Sequence, residues 1–334
     1  MIEYVSQDSL ATILICSNII FEDIEKDTFK PYTIPQWNKL AIKIANSNIK
    51  RPANLLNADK EHLIRELELT QEEWERLDFL LNQGAKLAIE LEKLNSLGIR
   101  VSTRSESNYP KSLRQKLKAY SPPVIYYSGD IELANRDLVS IVGSRDVDDH
   151  GFHFARQLSQ KIARQGFGVV SGGAKGVDSI AEFHCIDNGG YAVSFVSDTL
   201  NKKIKNKDIR NAILQDKLLL ISAANPYERF YVYSAMERNK YIYALSKIAV
   251  VVATSDNKGG TWSGATENLK KGWTPVFARS DNNSPVGNQN LIKLGVYPLS
   301  DHDINKDSFS VKYLIDNSEP NNSEGYKQMD LSDL

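Results

Sequence analysis

The stretch VVSGGAKGVDSIAEFH, residues 169–184, decides the fold of this 334-residue chain. A short apolar run ends at Ser171, three glycines follow within five residues with Lys175 among them, and a helical pattern starts near Asp178. Glycine lets backbone N–H groups approach a ligand closely, and the start of the following helix attracts negative charge. The stretch therefore predicts a strand–turn–helix unit whose turn suits an anion.

The residues around this unit repeat its pattern. From Val124 onward, short apolar runs alternate with segments of helical spacing. The apolar runs are VIYYSG, LVSIVG, FGVVSG, YAVSFV, KLLLIS, IAVVVAT and TPVFA. Near-continuous apolar strands that alternate with amphipathic helices are typical of a parallel sheet covered on both faces. The predicted fold class is therefore α/β, with a doubly wound parallel sheet.

The first hundred residues have a helical pattern instead. Apolar residues recur at three- and four-residue spacing, and Gly98 ends the last of these helices. Thr70 with Glu73 makes a capping box for one helix, and Asn57 or Asp59 caps the helix before it. The last thirty residues are polar and weakly periodic, which is typical of disorder. The predicted domains are a small helical domain over 1–107, an α/β domain over 108–304 and an acidic, disordered tail over 305–334.

Composition places the chain among ordinary globular proteins, with 41% hydrophobic and 25% charged residues. The longest apolar stretch near the start, Leu10 to Cys16, is too short to cross a bilayer, and two distant cysteines are typical of a cytoplasmic protein. The net charge is −1, but residues 1–100 carry −4, residues 101–300 carry +8 and residues 301–334 carry −5. A basic middle between two acidic ends is compatible with a polyanionic partner.

Three predicted strands end in loops of similar composition. One ends in Gly143-Ser144-Arg145, the second in Ser171-Gly172-Gly173-Ala174-Lys175-Gly176, and the third in a loop that contains Gly260 and Thr261. Because the carboxyl ends of parallel strands share one edge, we expect these loops to lie close together in space. Arg145 can hold a phosphate through two parallel hydrogen bonds, and Lys175 adds a point charge. The sequence therefore predicts a phosphate site at this edge.

Common cofactor and metal patterns are absent from the sequence. No Lys-Ser or Lys-Thr follows the last glycine of SGGAKG, so the loop is not a Walker A motif, and GSRDVDDHG does not match the dinucleotide pattern. The five histidines show no metal-ligand spacing with carboxylates or cysteines. We therefore predict no cofactor, no metal and no catalytic residue.

An ordered set of motifs resembles the DNA-processing protein A family, called DprA or Smf, of which this chain looks like a divergent member. YPKSL precedes SPPVIYYSGDIEL, then VSIVGSR and the GFHFARQLSQKIARQGFGVVSGGAKGVD stretch follow. ERNKYIYALSKIAVVVAT, GGTWSGATENLKKGWTPVFA and GNQNLIKLGV complete the set, which covers residues 109 to 299. The resemblance implies an extended Rossmann-like domain that binds single-stranded DNA without being an enzyme, and a SAM-like helical N-terminal domain.

The same resemblance implies partners and site residues. Members hand single strands to a RecA-type recombinase during DNA uptake and natural transformation, and they self-associate, so a homodimer is expected. By position, the phosphate-binding residues would be Gly143, Ser144, Arg145, Ser171, Gly172, Gly173, Lys175, Gly176, Arg238, Asn239, Lys240, Gly260 and Thr261. Bases need stacking platforms, for which the candidates are Tyr231, Tyr233, Tyr241, Tyr243 and Trp262.

Two other readings of the same crevice stay open at this point. GGTWSGATE is similar to the glycine-rich, Glu-bearing loop of nucleoside-monophosphate phosphoribohydrolases, in which case Glu267 would be the catalytic acid. The crevice would alternatively bind a signalling nucleotide and pass that event to the helical N-terminal domain. Binding of oligothymidine against nucleoside monophosphates distinguishes these readings.

Overall fold

The structure, a computed structural model, describes residues 5–21, 29–197, 199–227 and 232–320, without the side chains of 232–235. Its α-helices are α1 (Gln7–Cys16), α2 (Ile34–Asn46), α3 (Lys60–Leu67), α4 (Gln71–Leu81), α5 (Gly84–Ser96), α6 (Lys111–Leu117), α7 (Asp149–Arg164), α8 (Val177–Asp187), α9 (Leu200–Lys203), α10 (Lys207–Leu214), α11 (Val232–Leu245), α12 (Gly259–Lys271), α13 (Val286–Lys293), α14 (Asp301–Asn305) and α15 (Val311–Asp316). Its strands are β1 (Arg100–Thr103), β2 (Val124–Ser128), β3 (Leu138–Gly143), β4 (Gly168–Ser171), β5 (Ala192–Phe195), β6 (Leu218–Ser222), β7 (Ile248–Ala253), β8 (Val276–Arg279) and β9 (Tyr297–Leu299). Short 3₁₀ segments span Pro52–Leu56, Lys118–Tyr120 and Ile131–Asn135.

The chain divides into two compact units. The first contains Met1–Asn135 and Val196–Ser234, and the second contains Arg136–Phe195 and Ala235–Leu334. This division differs from the predicted boundary at residue 107. Its physical reason is strand pairing, because β2 pairs antiparallel with both β1 and β6 and thereby ties residues 218–222 to the first unit.

The first unit is built mainly on α1 to α5. Trp37, Leu40 and Ile44 of α2 are buried against apolar side chains of α3 and α4. Thr70 and Glu73 make the predicted capping box of α4, and Asp59 caps α3 by accepting a hydrogen bond from the backbone N–H of His62. Helical spacing of apolar residues continues in the sequence from Thr70 to Gly98, but the structure has two helices here, with an interruption between Leu81 and Gly84.

The second unit contains a fully parallel six-stranded sheet. Its strand order is β5-β4-β3-β7-β8-β9, so the chain starts in the middle at β3, adds β4 and β5 on one side, and then adds β7 to β9 on the other. Every residue of β4, β5, β7 and β8 is buried, which means that both faces of the sheet are covered. This arrangement confirms the predicted α/β, doubly wound fold, with its switch point between β3 and β7.

Residues 306–320 contain the helix α15, which corrects the prediction that these residues belong to a disordered tail. Val311 is buried, and Phe309, Leu314 and Ile315 pack against the core of the second unit. Gln165, the residue directly after α7, holds the segment through its amide, which donates to the Phe309 carbonyl and accepts from the Val311 N–H. The sequence predicted disorder because polar residues are frequent in this stretch, although it also contains apolar residues at helical spacing.

Within the part of the chain that the structure describes, no helix is both long enough and apolar enough to cross a membrane.

Candidate anion-binding site

Three loops of the second unit, each containing or flanked by glycine, follow neighbouring strands. We call them the β3 loop (residues 144–148), the β4 loop (residues 172–176) and the β7 loop (residues 254–258). Because β3 lies between β4 and β7 and all three strands are parallel, their loops leave the same edge of the sheet at the switch point. The expectation that the sequence stretches 143–145, 171–176 and 255–261 lie at one edge agrees with this topology.

Glycines let the β3 and β4 loops touch through their backbones. A Cβ atom on Gly176 would lie 2.5 Å from the carbonyl oxygens of both Ser144 and Arg145, and its φ is +80°. The backbone N–H of Val177 donates to the Ser144 carbonyl at 3.2 Å, and a Cβ on Gly143 would lie 2.6 Å from the Val177 side chain. Any side chain at Gly176 would therefore force the two loops apart.

The cationic side chains of this edge are exposed. Arg145 extends from the β3 loop and Lys175 from the β4 loop, and both are exposed, so a ligand can reach them from solvent. The hydroxyl of Ser144 accepts a hydrogen bond from the backbone N–H of Asp146 at 3.1 Å, which fixes the turn that carries Arg145. The exposed guanidinium and ammonium groups are the chemistry that a phosphate backbone requires.

Backbone N–H groups of the β4 loop have partners within the protein. The N–H of Gly173 donates to Glu182 Oε1 at 3.0 Å, and the N–H of Ala174 donates to Asp178 Oδ2 at 3.3 Å. Both carboxylates are on α8 and are more than nine-tenths buried. The prediction that Gly173 presents its N–H to a phosphate is therefore corrected, because a carboxylate already occupies that N–H group. Ser171 is also buried, and its hydroxyl donates to the Ile141 carbonyl at 2.6 Å.

Arg238 is a second correction. Its side chain is buried with 8% exposure, and Nη1 donates to the Phe195 carbonyl at 3.0 Å. A Cβ on Gly172 would lie 1.4 Å from the same Nη1, so the guanidinium packs directly against the β4 loop. Burial raises the pKa of Asp178, and the nearby positive charge of Arg238 opposes that rise. Arg238 thus supports the loop from behind instead of presenting its charge to solvent.

The two residues after Arg238 have different surroundings. Asn239 donates from Nδ2 to the Gly260 carbonyl at 2.8 Å, which positions the first turn of α12. Lys240 is half-buried, lies 3.0 Å from Glu237 Oε1 and sits 5.1 Å from the ring centroid of Tyr241. Asn239 is therefore a positioning residue for the start of α12, and much of the charge of Lys240 is balanced by Glu237.

The start of α12 is open to solvent. Residues 255–260 are exposed, Thr261 and Trp262 are half-buried, and Gly259 has φ of +87°. The first N–H groups of a 13-residue helix therefore face the same edge as the β3 and β4 loops. Glu267 is exposed and lies eight residues further along α12, about 12 Å from the helix start at the rise of an α-helix. That distance separates it from the loop backbone that would hold a 5′-phosphate.

The aromatic candidates for base stacking fall into three groups. Tyr241 and Tyr243 are buried, so the prediction that they stack on bases is wrong, because bases need an exposed ring face. The Tyr241 ring instead packs on Phe195 with a centroid distance of 4.7 Å. Tyr231 and the side chain of Tyr233 lie outside the described residues. Trp262, half-buried in the first turn of α12, stays a candidate.

One residue that shapes the edge was missed by sequence reasoning. The fully buried Asn288 accepts a hydrogen bond from the Thr254 N–H at 2.9 Å, and its amide nitrogen donates to the carbonyls of Val252 and Arg279. A Cβ on neighbouring Gly287 would lie 2.4 Å from the Thr254 carbonyl oxygen. The GNQN motif that contains both residues therefore fixes the β7 loop, and this motif was the only signal in the sequence.

The described residues contain no group of three or more His, Cys, Asp or Glu side chains that could hold a metal ion. The site is instead an edge of exposed cations and helix-start N–H groups, supported from behind by Arg238, Asp178, Glu182 and Asn288. Such an edge can bind a phosphate oxygen electrostatically.

Comparison with protein families identifies the class of this fold and site. The profile of the DNA recombination-mediator protein A family matches residues 100–306, more than half of the chain, and the chain belongs to this family. The match confirms the resemblance drawn from the motifs.

Individual relatives are distant. Protein Smf of Synechocystis is 30% identical over 166 residues, which are 47% of this chain and 40% of the relative. DNA processing protein DprA of Streptococcus pneumoniae is 28% identical over 196 residues, which are 58% of this chain and 66% of the relative. The chain therefore spans 40% to 66% of the length of these curated relatives.

Solved structures agree on the fold. The X-ray structure of DprA from Streptococcus pneumoniae is similar with a TM-score of 0.68 at 18% identity, over 94% of this chain and 99% of that chain. A structure of DNA processing protein A from Helicobacter pylori, described for its single-stranded DNA binding mode, has a TM-score of 0.51 at 24% identity, over 65% of this chain and 94% of that chain.

Proposed function

We propose that this protein binds single-stranded DNA by its phosphate backbone at the edge formed by the β3, β4 and β7 loops. The observation that carries the proposal is the exposure of Arg145 and Lys175 on loops of adjacent parallel strands, beside the open start of α12. Family membership and the single-stranded DNA binding described for the Helicobacter pylori protein support the choice of ligand.

The binding chemistry follows from which groups are exposed. Arg145 and Lys175 each contact a phosphate, and the N–H groups of Gly260 and Thr261 at the start of α12 donate hydrogen bonds to a further phosphate. Gly143, Gly172, Gly176, Arg238 and Asn239 hold the loops in place without contacting the strand. Such contacts ignore base identity, so binding tolerates sequence and weakens steeply with salt.

The wider role is proposed from the family. The protein assists loading of a RecA-type recombinase on single strands in DNA uptake and recombination, acts as a homo-oligomer in the cytoplasm, and performs no chemistry on the DNA. Membership of the DNA recombination-mediator protein A family supports this role.

The test is fluorescence anisotropy of a labelled oligothymidine at several salt concentrations, with duplex DNA and nucleoside monophosphates as competitors. Arg145→Ala/Lys175→Ala should weaken binding and lower the slope of log K against log salt by about 1.4, since each phosphate contact on a single strand contributes about 0.7. The matched control is Lys161→Ala/Arg164→Ala. These residues lie in the last turn of α7, at the opposite end of the strands.

Three outcomes decide the proposal. The proposal is supported if Arg145→Ala/Lys175→Ala lowers both the affinity for oligothymidine and the salt slope, and Lys161→Ala/Arg164→Ala changes neither. Equal effects in both double variants mean that net charge alone is responsible and overturn the assignment of the site. If the protein binds or cleaves a nucleoside monophosphate and does not bind oligothymidine, the DNA proposal is overturned. Glu267 is then the next residue to substitute.

A further inference from the structure

A second basic surface lies in the first unit. Two of its segments, residues 29–58 and 107–129, contain no Asp or Glu, and they carry five and four Lys or Arg residues, respectively. Segment 29–58 stands out because residues 1–100 as a whole have a net charge of −4. A run of cations without neighbouring carboxylates in the sequence can attract a polyanion.

Hydrogen bonds bring the two segments together. Asn38 of α2 donates from Nδ2 to the carbonyl of Ala119, in the 3₁₀ segment, at 2.8 Å. Arg104 locks this contact, because its Nη1 donates to Asn38 Oδ1 at 2.8 Å and its Nη2 donates to the carbonyls of Ala119 and Ser121. The relative position of α2 and the 3₁₀ segment Lys118–Tyr120 is therefore fixed by side chains.

Aromatic, aliphatic and cationic side chains are exposed where the segments meet. Tyr120 and Ile42 are each 61% exposed, and Ile42 lies one helical turn after Asn38 on the same flank of α2. Lys39, three residues before Ile42, and Lys118, two residues before Tyr120, are exposed as well. We call the surface formed by Lys39, Ile42, Lys118 and Tyr120 the Tyr120 surface.

We propose that the Tyr120 surface is a second binding site for single-stranded DNA. Lys39 and Lys118 contact phosphates, and Tyr120 stacks on a base whose lower edge rests on Ile42. An exposed ring together with cations suits a single strand, because its bases have open faces, whereas the bases of a duplex are already stacked on each other. The proposal does not rest on the β3, β4 and β7 loops, since every residue of the Tyr120 surface belongs to the first unit.

Two variants separate the charge and the stacking contributions. Tyr120→Ala should weaken oligothymidine binding at least fivefold, in line with the stacking of one base, and leave the salt slope unchanged. Lys39→Gln/Lys118→Gln should lower the salt slope by about 1.4. The control Lys86→Gln/Lys312→Gln removes the same charge from exposed lysines elsewhere in the two units. Thermal unfolding checks that each variant is folded.

The experiment is carried out on the full chain and repeated in the Arg145→Ala/Lys175→Ala background. In that background, the remaining binding of oligothymidine should depend on Tyr120. Acylation of lysines followed by mass spectrometry locates the contact, since bound oligothymidine should protect Lys39 and Lys118 but not Lys86.

The results distinguish this proposal from the proposed function. If the Arg145→Ala/Lys175→Ala chain binds like the original chain while Tyr120→Ala does not, the loop site fails and the Tyr120 surface stands. Unchanged binding by Tyr120→Ala in both backgrounds, or Lys39 and Lys118 that react equally with and without the strand, overturns the Tyr120 surface. If duplex DNA binds and its binding depends on Lys39 and Lys118 but not on Tyr120, the assignment of the Tyr120 surface to single-stranded DNA is overturned.

Discussion

Gly172 and Arg238 depend on each other at the centre of the site. The buried guanidinium of Arg238 lies where a side chain at residue 172 would be, and it also donates to the Phe195 carbonyl next to the buried carboxylate of Asp178. A larger residue at 172 cannot displace the guanidinium without breaking that hydrogen bond. Glycine is therefore required here by contact, because Gly172 has no unusual backbone conformation.

We expect Gly172→Ala to lower the free energy of unfolding by about 1–3 kcal/mol, the usual cost of overpacking a filled site. In an Arg238→Ala background the same substitution should cost clearly less, because the atom it strikes is gone. Urea denaturation of the four chains of this double-mutant cycle measures the difference.

Gly84→Ala is the control for this cycle, since nothing lies within 4 Å of a Cβ built there. If Gly172→Ala costs the same with and without Arg238, the two residues are not coupled, and the loop support argued from their contact is incorrect.

At this scale the sequence identified the exposed residues of the site better than the buried ones. Arg145 and Lys175 were predicted as cations at a strand end, and they are exposed there. Arg238 was expected to face a ligand, but a motif records which residue type is present and not which way its side chain points. The hydrogen bond from the Gly173 N–H to the Glu182 carboxylate was not predictable for the same reason. The two residues are nine positions apart, and the sequence does not show that their groups meet.

Among the elements, α14 shows how a short helix fastens a longer segment. Ser300 and Asp303 form a reciprocal capping box, and Lys306 Nζ lies 2.7 Å from Asp303 Oδ1. Ile304 of this helix is fully buried in the core of the second unit. The cap therefore fixes the start of α14, the helix that connects β9 to residues 306–320.

The cap should make stability depend on pH below about 4. Hydrogen bonds from Lys306 and Ser300 lower the pKa of Asp303 to about 2. A carboxyl whose pKa is lower in the folded state stabilises the fold above its unfolded pKa of about 3.9, and that contribution disappears as the pH falls towards about 2. Because the Asp303 side chain is 43% exposed, we expect no more than about 1 kcal/mol between the original chain and Asp303→Asn near neutral pH.

Denaturant unfolding of the original chain and Asp303→Asn at a series of pH values tests this expectation, and the difference between them should shrink as the pH approaches about 2. Asp307→Asn is the matched control, because it removes an exposed carboxylate from the same segment without touching the cap. A difference for Asp303→Asn that stays constant over this range contradicts the assigned role of its carboxylate.

Elements were predictable where local signals agreed with the core. The capping box at Thr70, the cap at Asp59 and the positive φ of Gly98 fixed helix ends through interactions within a few residues. The interruption between α4 and α5 and the helix α15 were missed. In both cases tertiary packing decides whether these residues form a helix, and tertiary packing cannot be predicted from a single sequence.

For the whole molecule, net charge is a poor guide to the partner. The chain carries −1 overall, yet exposed cations lie on the loop edge of the second unit and on the Tyr120 surface of the first. The parallel order of strands was predictable from the alternation of apolar runs and helices. The exchange of residues 196–234 into the first unit was not, because it depends on the pairing of β6 with β2 across about a hundred residues.

Amide hydrogen exchange of the full chain tests where a single strand binds. Saturating oligothymidine should slow exchange in peptides that contain the β3 loop and residues 255–261, most of which are exposed before binding. The β4 loop should change less, because the N–H groups of Gly173 and Ala174 already donate to buried carboxylates. Peptides from the last turn of α7 to the start of β4 are the internal control, since they lie at the opposite end of the strands. If amide exchange slows only in this control region, or does not slow in residues 255–261, the oligothymidine does not bind at the loop edge.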